Sequence, residues 1–369
     1  MNIKCAKVDF LAKLQLALKV VSVKSVMPVL AGIKIKTVEN QLEILATDLN
    51  LSMRLFVDAE IVEPGEIVAP ARLLMDIVRS LPGRDFVMDY SDETKNVSIF
   101  AGDAQFHITT LPAEDFPAIQ QLEEDEAFEI DAVIFSDTVS ILSKVASRNE
   151  NVPVLTGILL KIEEQKVTMV AIDSSRFAVK EGTISNTASE KLSVVIPRNA
   201  LEELIRIQAN LDIKKFKVQI LDNLVVFQCN SSIYISARLL QGRYPEYQHL
   251  IPTEFKYTVE LDKEAALMMV QRVGVLAQKG QAIKLTFSQD ILDIYASTPT
   301  VGEADEKMSL FYPVSDDIAI GFNDELLADG IDSIRSTKVT LSLNEPTKPI
   351  VITGEEKGYL YLLAPVVLK

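Results

Sequence analysis

The chain has 369 residues but contains no tryptophan, only two histidines and only two cysteines. His107 and His249 lie far apart in the sequence, as do Cys5 and Cys229, so no cluster of metal ligands is indicated. No glycine-rich phosphate loop and no local nucleophile motif occurs either. The sequence therefore predicts a protein without catalytic residues, a metal or a cofactor, whose two cysteines are reduced and buried.

Long apolar runs are also missing, so no membrane-spanning helix is predicted. The N-terminal segment MNIKCAKVDF lacks the apolar core and cleavage site of a secretory signal, and we expect a cytoplasmic protein. Acidic residues outnumber basic ones, 52 to 37, which gives a net charge of -15. This excess argues against nucleic acid as a tightly held ligand, because phosphate groups are neutralised by Lys and Arg.

The most informative feature that is present is an internal repeat. Three kinds of segment recur in the same order, and equivalent members start roughly 125 residues apart. An apolar strand ending in a polar turn occupies 42–55, 167–180 and 292–308; an extended run entering a helix occupies 67–82, 194–207 and 318–331; an alternating strand occupies 104–112, 231–240 and 358–368. The repeat predicts three domains, each large enough for its own core, at 1–122, 129–250 and 251–369.

Each unit contains two segments with helical periodicity. The six predicted helices are 7–20, 71–80, 137–148, 198–206, 262–280 and 323–335. Ser136 and Asp137 are candidate caps of the third helix, and Asp262 and Asn323 of the fifth and sixth. Gly280 is expected just past the end of the fifth. A proline stands at the start of the second and of the fourth, where its missing amide costs no hydrogen bond.

The segments between the helices alternate apolar and polar residues and are rich in Val, Ile, Phe and Thr, a pattern typical of antiparallel strands. The run 217–239, for example, predicts two strands around a turn at Asp222 and Asn223 and a third after Asn230. Two helices packed on antiparallel sheets in each unit make the predicted fold class α+β.

Asp48 and Asp173 follow apolar strands at equivalent positions of units one and two. Carboxylates at such positions suit a metal or acid/base role, but they also accept backbone hydrogen bonds in tight turns. The third unit has Ser297 and Thr298 in this region. The replacement favours a structural turn over a metal site.

Five segments in order along the chain resemble the signature sequences of one family. They are ATDLNLSMRL (46–55), PARLLMDIVRSLP (70–82), TTLPAEDFP (109–117), AIDSSRFAV (171–179) and QGRYPEYQHLIP (241–252), and they are similar to segments of the bacterial beta sliding clamp, the processivity subunit of DNA polymerase III. The resemblance implies a non-catalytic, head-to-tail homodimer in which six domains form a ring around duplex DNA, with two helices per domain lining the hole. The partners it implies are the replicative polymerase, the clamp loader and repair proteins.

The implied ring makes the acidic total easier to reconcile with DNA. The six predicted helices have a summed charge of +2, which leaves -17 for the rest of the chain, so a neutral to positive lining would lie inside an acidic shell. The sixth helix, at -3, departs from this pattern, and we expect the third domain to attract DNA least. By resemblance, Lys24 lies in a loop that meets DNA and Asn149 ends a lining helix. The basic candidates on the helices are Arg72, Arg79, Arg148 and Arg198.

The resemblance also implies a pocket between the second and third domains that takes short peptides with apolar anchors. Carried over by motif, its lining comprises Leu155, Ile172, Ser174, Ser175, Arg176, Phe177, Pro245, His249, Leu250, Leu362, Ala364, Pro365, Val366, Val367 and Leu368. Apolar walls with a few polar groups suit anchor side chains. The family often has Thr, Gly and His where this chain has Ile172, Ser174 and Ser175, so the pocket is expected to be more aliphatic.

The dimer interface is likewise implied by resemblance, on strand edges suited to pairing. Its apolar residues are Phe106 and Ile108 of the first domain and Val275 and Leu276 of the third. The basic residues familiar on the first-domain side are replaced by Asn96, Asp103 and Gln105. The acidic residues Glu303, Asp305 and Glu306 are therefore expected to lack salt-bridge partners, and the dimer to depend on apolar packing and strand hydrogen bonds.

Two other functions stay open from the residues alone. A triplicated scaffold without a DNA role explains the acidic charge more simply, but it does not explain the five segments. A metal-dependent DNA-processing enzyme would need Asp48 and Asp173 at one metal, whereas the repeat places them in different domains.

Overall fold

The structure is a computed structural model that describes residues 1–22, 27–120, 127–184, 191–277 and 282–368. Its described residues contain the helices α1 (Lys7–Ala17), α2 (Ala71–Ser80), α3 (Ala132–Val145), α4 (Arg198–Leu211), α5 (Lys263–Gly274) and α6 (Asp324–Asp332). The prediction of two helices in each repeat is confirmed. None of these described helices is both long and apolar enough to cross a membrane.

The strands fill the segments where alternation predicted them. Those before α3 are β1 (Asn2–Ala6), β2 (Gly32–Val38), β3 (Gln41–Thr47), β4 (Leu51–Glu63), β5 (Glu66–Pro70), β6 (Asp85–Ser91), β7 (Asn96–Ala101), β8 (Ala104–Thr109) and β9 (Phe128–Asp131). Those of the second repeat are β10 (Gly157–Glu163), β11 (Lys166–Ile172), β12 (Arg176–Thr183), β13 (Leu192–Pro197), β14 (Lys215–Ile220), β15 (Leu224–Asn230) and β16 (Ile233–Arg238). Those of the third are β17 (Tyr257–Asp262), β18 (Ile283–Ser288), β19 (Ile291–Thr298), β20 (Gly302–Ser309), β21 (Ile318–Phe322), β22 (Lys338–Leu343), β23 (Ile350–Thr353) and β24 (Tyr359–Leu363).

The first of two compact units comprises Met1–Phe135 and Glu203–Leu239. Its antiparallel sheet runs β8-β7-β6-β1-β4-β16-β15-β14-β9, and β2, β3 and β5 attach beside β4. Strands of the first and second repeats are joined by β4 and β16, where Leu51 lies opposite Ala237. The helix α1 covers this sheet with Phe10, which meets Phe86 edge-on at 5.1 Å between ring centroids.

The second unit comprises Ser136–Glu202 and Leu240–Lys369. One of its antiparallel sheets runs β13-β10-β11-β12-β24-β23-β22-β17, and the other runs β20-β19-β18-β21. In the first of these sheets, β12 and β24 join strands of the second and third repeats, with Phe177 opposite Leu362. The helices α5 and α6 approach so closely that a Cβ on Gly274 would lie 2.6 Å from an oxygen of Asp324.

The predicted helix starts are confirmed for α5 and α6 but not for α3. Asp262 accepts a hydrogen bond from the amide of Ala265, and Asn323 caps α6 in the same way. The capping of α3 by Ser136 or Asp137 was wrong. Asp131, the last residue of β9, accepts hydrogen bonds from two amides of the first turn at 2.9 and 2.8 Å, so the helix begins at Ala132. At the other end, α5 stops at Gly274, before the predicted 280, and Gly280 itself lies outside the described residues.

Candidate functional site

An apolar cluster at the joint of β12 and β24 brings four of the predicted pocket residues together. Ile172, Phe177 and Leu362 are buried in it, and Leu155 packs against them from a partly buried position. The cluster also contains Tyr247, whose ring centroid lies 5.9 Å from that of Phe177. These residues form one apolar cluster, which we call the floor because the predicted site for an apolar anchor side chain lies here.

Tyr244 and Tyr247, both in the segment QGRYPEYQHLIP, were not among the predicted residues but belong to or pack against this cluster. Tyr244 packs against the apolar cluster and donates a hydrogen bond from its hydroxyl to the carbonyl of Val170 at 3.1 Å. Burial raises the pKa of Tyr244 above its ordinary value. The residues between and after them are more open, since Pro245, His249 and Leu250 are exposed.

His249 and Leu250 line a depression of their own with Pro252, Asn344 and Pro349. The apolar cluster does not include either of them. Ile251, the next residue, packs against the cluster. Consecutive residues of one segment therefore line the depression and contact the cluster. The predicted lining therefore divides into an apolar floor and an adjoining, more exposed depression.

The rim of the floor is a tight turn made by Asp173. Its Oδ1 accepts hydrogen bonds from the amides two and three residues ahead, at 2.8 and 3.0 Å, and Oδ1 of Asp48 makes the same pair of bonds in the first repeat. The interpretation of both residues as turn formers is confirmed. In the second repeat this turn presents Ser174, which is exposed, and Ser175, which is half-buried.

The C-terminal segment follows the turn and then leaves the sheet. The amide of Ala364 donates to the carbonyl of Ser175 at 2.8 Å, and two residues later the amide of Val366 donates to Gly321 of β21 at the same distance. Pro365 is half-buried between them. The side chains beyond are open, with exposed fractions of 37% for Val366, 80% for Val367 and 39% for Leu368. The segment is thus held by its backbone while its apolar side chains stay accessible.

Arg176 lies under the rim, and only 9% of it is exposed. Its guanidinium donates to Asp173, Asp329 and the hydroxyl of Tyr361, and also to the carbonyl of Lys144 at the end of α3. Burial alone would lower the pKa of Arg176, but the surrounding Tyr361, Asp329 and Asp173 raise it above the ordinary value. The side chain is therefore engaged inside the protein.

The DNA candidates occupy helices and their ends. Arg72 and Arg79 are exposed on α2, and Arg79 lies 3.9 Å from Asp76. Arg148 and Asn149 are exposed just after α3. Arg198 opens α4 and is half-buried, 3.6 Å from the carboxylate of Glu202. Lys24 lies outside the described residues.

Two of the four carboxylates of α6 pair with cations of the second repeat. Asp329 pairs with Arg176 at 2.7 Å, and Asp332 pairs with Lys144 at 3.0 Å. Arg335, just after the helix, pairs with Asp137 at 2.7 Å. The charge of -3 counted along the sequence therefore overstates the negative field that this helix presents.

The predicted interface residues lie on or beside edge strands. β8 ends the large sheet of the first unit and carries Phe106, half-buried, and Ile108, 6% exposed. β20 ends the four-stranded sheet of the second unit, and Val275, which caps α5, is 81% exposed. Leu276 is half-buried beside it.

The expectation of unpaired acidic residues on β20 was wrong for Glu306. Arg272 of α5 donates two hydrogen bonds to its carboxylate. Glu303 accepts a hydrogen bond from the hydroxyl of Tyr295 at 2.9 Å. Both partners lie within the same chain: Tyr295 is on the neighbouring strand β19, and Arg272 is on α5.

Comparisons with known proteins agree along the whole chain. Models of the DNA polymerase III beta subunit match at its N-terminal domain (1–120), central domain (129–246) and C-terminal domain (248–366). The chain is 30% identical to the beta sliding clamp of Streptomyces coelicolor over 357 residues, 92% of each chain, and 27% identical to that of Staphylococcus aureus over 368 residues, 97% of each. The crystal structure of the DNA polymerase sliding clamp from Bacillus subtilis matches over 100% of both chains, with 25% identity and a TM-score of 0.94.

Three α+β repeats with two helices each, arranged in this topology, define the fold as that of a DNA clamp. The chain belongs to the DNA polymerase III beta subunit family.

Proposed function

We propose that this protein is a sliding clamp. Two copies associate head to tail into a ring of six domains that encircles duplex DNA without reading its sequence, and the ring tethers the replicative polymerase. The observation that carries the proposal is the match of all three beta subunit domain models, in order, over nearly the entire chain. A scaffold or a metal-dependent enzyme does not account for that match.

The protein acts in the cytoplasm as a ring around DNA and catalyses no reaction. Its three domains are 1–122, 129–250 and 251–369. Duplex DNA passes through a lining to which Lys24, Arg72, Arg79, Arg148, Asn149 and Arg198 contribute. Contacts of this kind are long-range and sensitive to salt, and they involve phosphates rather than bases. The pairing of Asp329 and Asp332 with cations supports a weaker repulsion of DNA at α6 than the sequence charge implies.

Partners dock through short apolar peptides in the pocket defined by motif. The polymerase, the clamp loader and repair proteins share this site and therefore compete for it. The buried floor of Ile172, Phe177 and Leu362 and the accessible side chains of the C-terminal segment support the assignment. Apolar anchors in such a groove supply most of the binding free energy of a short peptide.

The experiment that tests the clamp is retention on DNA of different topology. The protein is loaded onto nicked circular DNA by a clamp loader, and gel filtration follows the bound fraction before and after one restriction cut. Retention on the circle and loss after cutting are expected, because a ring slides off free ends. As a control, linear DNA with both ends blocked by streptavidin must retain the protein. Equal retention on open and blocked linear DNA would identify an ordinary DNA-binding protein instead.

A further inference from the structure

The internal repeat provides a reference for the role of Arg176. In the first repeat the Asp48 turn leads into Leu51, and in the second the Asp173 turn leads into Arg176, with the same amide-to-carboxylate bonds. Leu51 opens β4 and Arg176 opens β12, and each of these strands pairs with a strand of the next repeat. A leucine therefore suffices for the turn and for the joined sheet. The arginine serves a purpose that the first repeat does not have.

The contacts of the guanidinium indicate what that purpose is. Nε donates to Asp173 at 3.0 Å, and Nη1 donates to Asp329 at 2.7 Å and to the hydroxyl of Tyr361 at 3.2 Å. Nη2 donates to the carbonyl of Lys144 at 2.6 Å. One side chain thus fastens the pocket turn to α3, α6 and β24. The bonds to Asp173 and Asp329 are the strongest of the four, because both partners are charged.

Asp329 is the member of this network that α6 contributes. It lies on α6, 153 residues from Arg176 in sequence, and its side chain is 37% exposed. A continuous series of bonds leads from it to the pocket: Asp329 holds Arg176, Arg176 holds Asp173, and the Asp173 turn presents Ser175, whose carbonyl anchors the amide of Ala364. Removing one partner of a buried arginine leaves its charge under-compensated, which disturbs the rest of the network.

We propose that Asp329 is a positioning residue of the peptide pocket and acts through Arg176, so that the geometry of the pocket depends on α6. The inference rests on the proposed function of that pocket. Asp329 does not touch the peptide. Its carboxylate holds the rim turn and the C-terminal segment in the conformation that the peptide requires.

The chain offers a matched control three residues further along the same helix. Asp332 also carries a carboxylate in an ion pair with the second repeat, at 3.0 Å from Lys144, and its side chain is 49% exposed. It has no bond to Arg176, whose described partners are those given above. Asp329→Asn and Asp332→Asn therefore remove the same charge from the same helix, but only the first removes a charged partner of the arginine.

The experiment measures the affinity of a fluorescein-labelled peptide, the C-terminal segment of the replicative polymerase, by fluorescence polarisation. Asp329→Asn is expected to weaken binding about fivefold, at the lower end of ordinary coupling between sites, while Asp332→Asn leaves it unchanged. Asp329→Glu, which keeps the carboxylate, is expected to recover most of the affinity. In an Arg176→Gln background, Asp329→Asn should cause no further loss, because residues that act through one another are not additive.

Equal affinities for the two asparagine variants, or additive losses in the double variant, would overturn the inference while leaving the pocket in place. A wild-type protein that does not bind the peptide would overturn the pocket and the inference together. Retention on circular DNA, measured for each variant, checks that the ring is intact and separates loss of pocket geometry from loss of fold.

Discussion

The amide of Val366 donates a 2.8 Å hydrogen bond to the carbonyl of Gly321, and this bond fastens the C-terminal segment to β21. The approach is close, since a Cβ on Gly321 would lie 2.6 Å from the carbonyl oxygen of Val366 and 2.7 Å from Leu368. Gly321→Ala should therefore displace the segment. We expect peptide affinity to fall about tenfold, equivalent to about 1.4 kcal/mol, with little change in Tm because the segment lies at the surface.

Gly182→Ala is the matched control, because Gly182 also lies in a strand but has nothing within 4 Å of an added Cβ. Peptide titration and thermal melting of both variants test the prediction. A normal peptide affinity for Gly321→Ala would mean that the C-terminal segment takes no part in binding.

The side chain of Val366 provides a second test of the same segment. Val366 is 37% exposed. The hydrogen bond to Gly321 is made by the backbone amide of Val366 and does not involve the side chain. Val366→Asp places a carboxylate where apolar anchors are proposed to bind, so affinity should fall by tenfold or more, at roughly 1–3 kcal/mol for an unpaired polar group. Ring formation should be unchanged. Val62→Asp, at a 67% exposed position of β4, is the control, and an equal effect of the two substitutions would exclude a specific role for Val366.

The repeats explain why so much of the fold can be predicted from the sequence. The turns at Asp48 and Asp173 were identified because two copies of one pattern could be compared with a third that lacks the acid. The same comparison located the helices, whose polar caps Asp262 and Asn323 are local signals. The cap of α3 was misplaced because candidates compete there: Asp131 acts five residues before Ser136 and six before Asp137.

Partnerships between distant segments could not be predicted in this way. Alternation shows which residues of a strand face the core, but it does not specify which strand lies beside it. The pairing of β4 with β16 and of β12 with β24 therefore appears only in the structure. The bonds of Arg176 to Asp329 and of Arg272 to Glu306 are long-range for the same reason, and the charge of a helix counted along the sequence misses them.

The dimer interface can be tested at Val275, which is 81% exposed at the end of α5. A valine this open in one chain is consistent with contact to a second copy. Val275→Asp would bury a carboxylate without a partner, which costs several kcal/mol, and we expect the dissociation constant of the dimer to rise about a hundredfold, or roughly 2.7 kcal/mol. Sedimentation across a concentration series measures this. Val62→Asp again serves as control, and an unchanged dimer would place the interface elsewhere.

Arg72 and Arg79 test the DNA lining, because both are exposed on α2. The double change Arg72→Ala and Arg79→Ala should weaken binding to a short duplex and reduce the slope of log affinity against log salt by up to about two, since each phosphate contact contributes about 0.9. Arg243→Ala, which removes an 85% exposed arginine from the loop before His249, is the control. Equal slopes for the three proteins would remove α2 from the DNA-facing surface.

We expect Cys229 to make the fold less stable as the pH rises above the ordinary pKa of a thiol. Cys229 lies in β15 and is 4% exposed, and burial raises the pKa of its thiol to about 12. The pKa of a thiol in an unfolded chain is about 8.5. Because the folded pKa is the higher one, the stabilisation is complete below the unfolded value and is lost as pH rises from there towards 12. In that window this thiol alone should lower the free energy of unfolding by about 1.4 kcal/mol per pH unit.

Urea unfolding at pH 7 and pH 10 measures the loss, and Cys229→Ala isolates the thiol from tyrosines and lysines that titrate nearby. The alanine variant starts from a lower stability, because a buried sulfur is replaced by a smaller group, but its stability should decline less between the two pH values. Ellman's reagent gives an independent reading, since a buried, protonated thiol reacts only when the protein unfolds. An equal decline in both proteins, or rapid labelling of both thiols of the native chain, Cys5 as well as Cys229, would contradict the prediction.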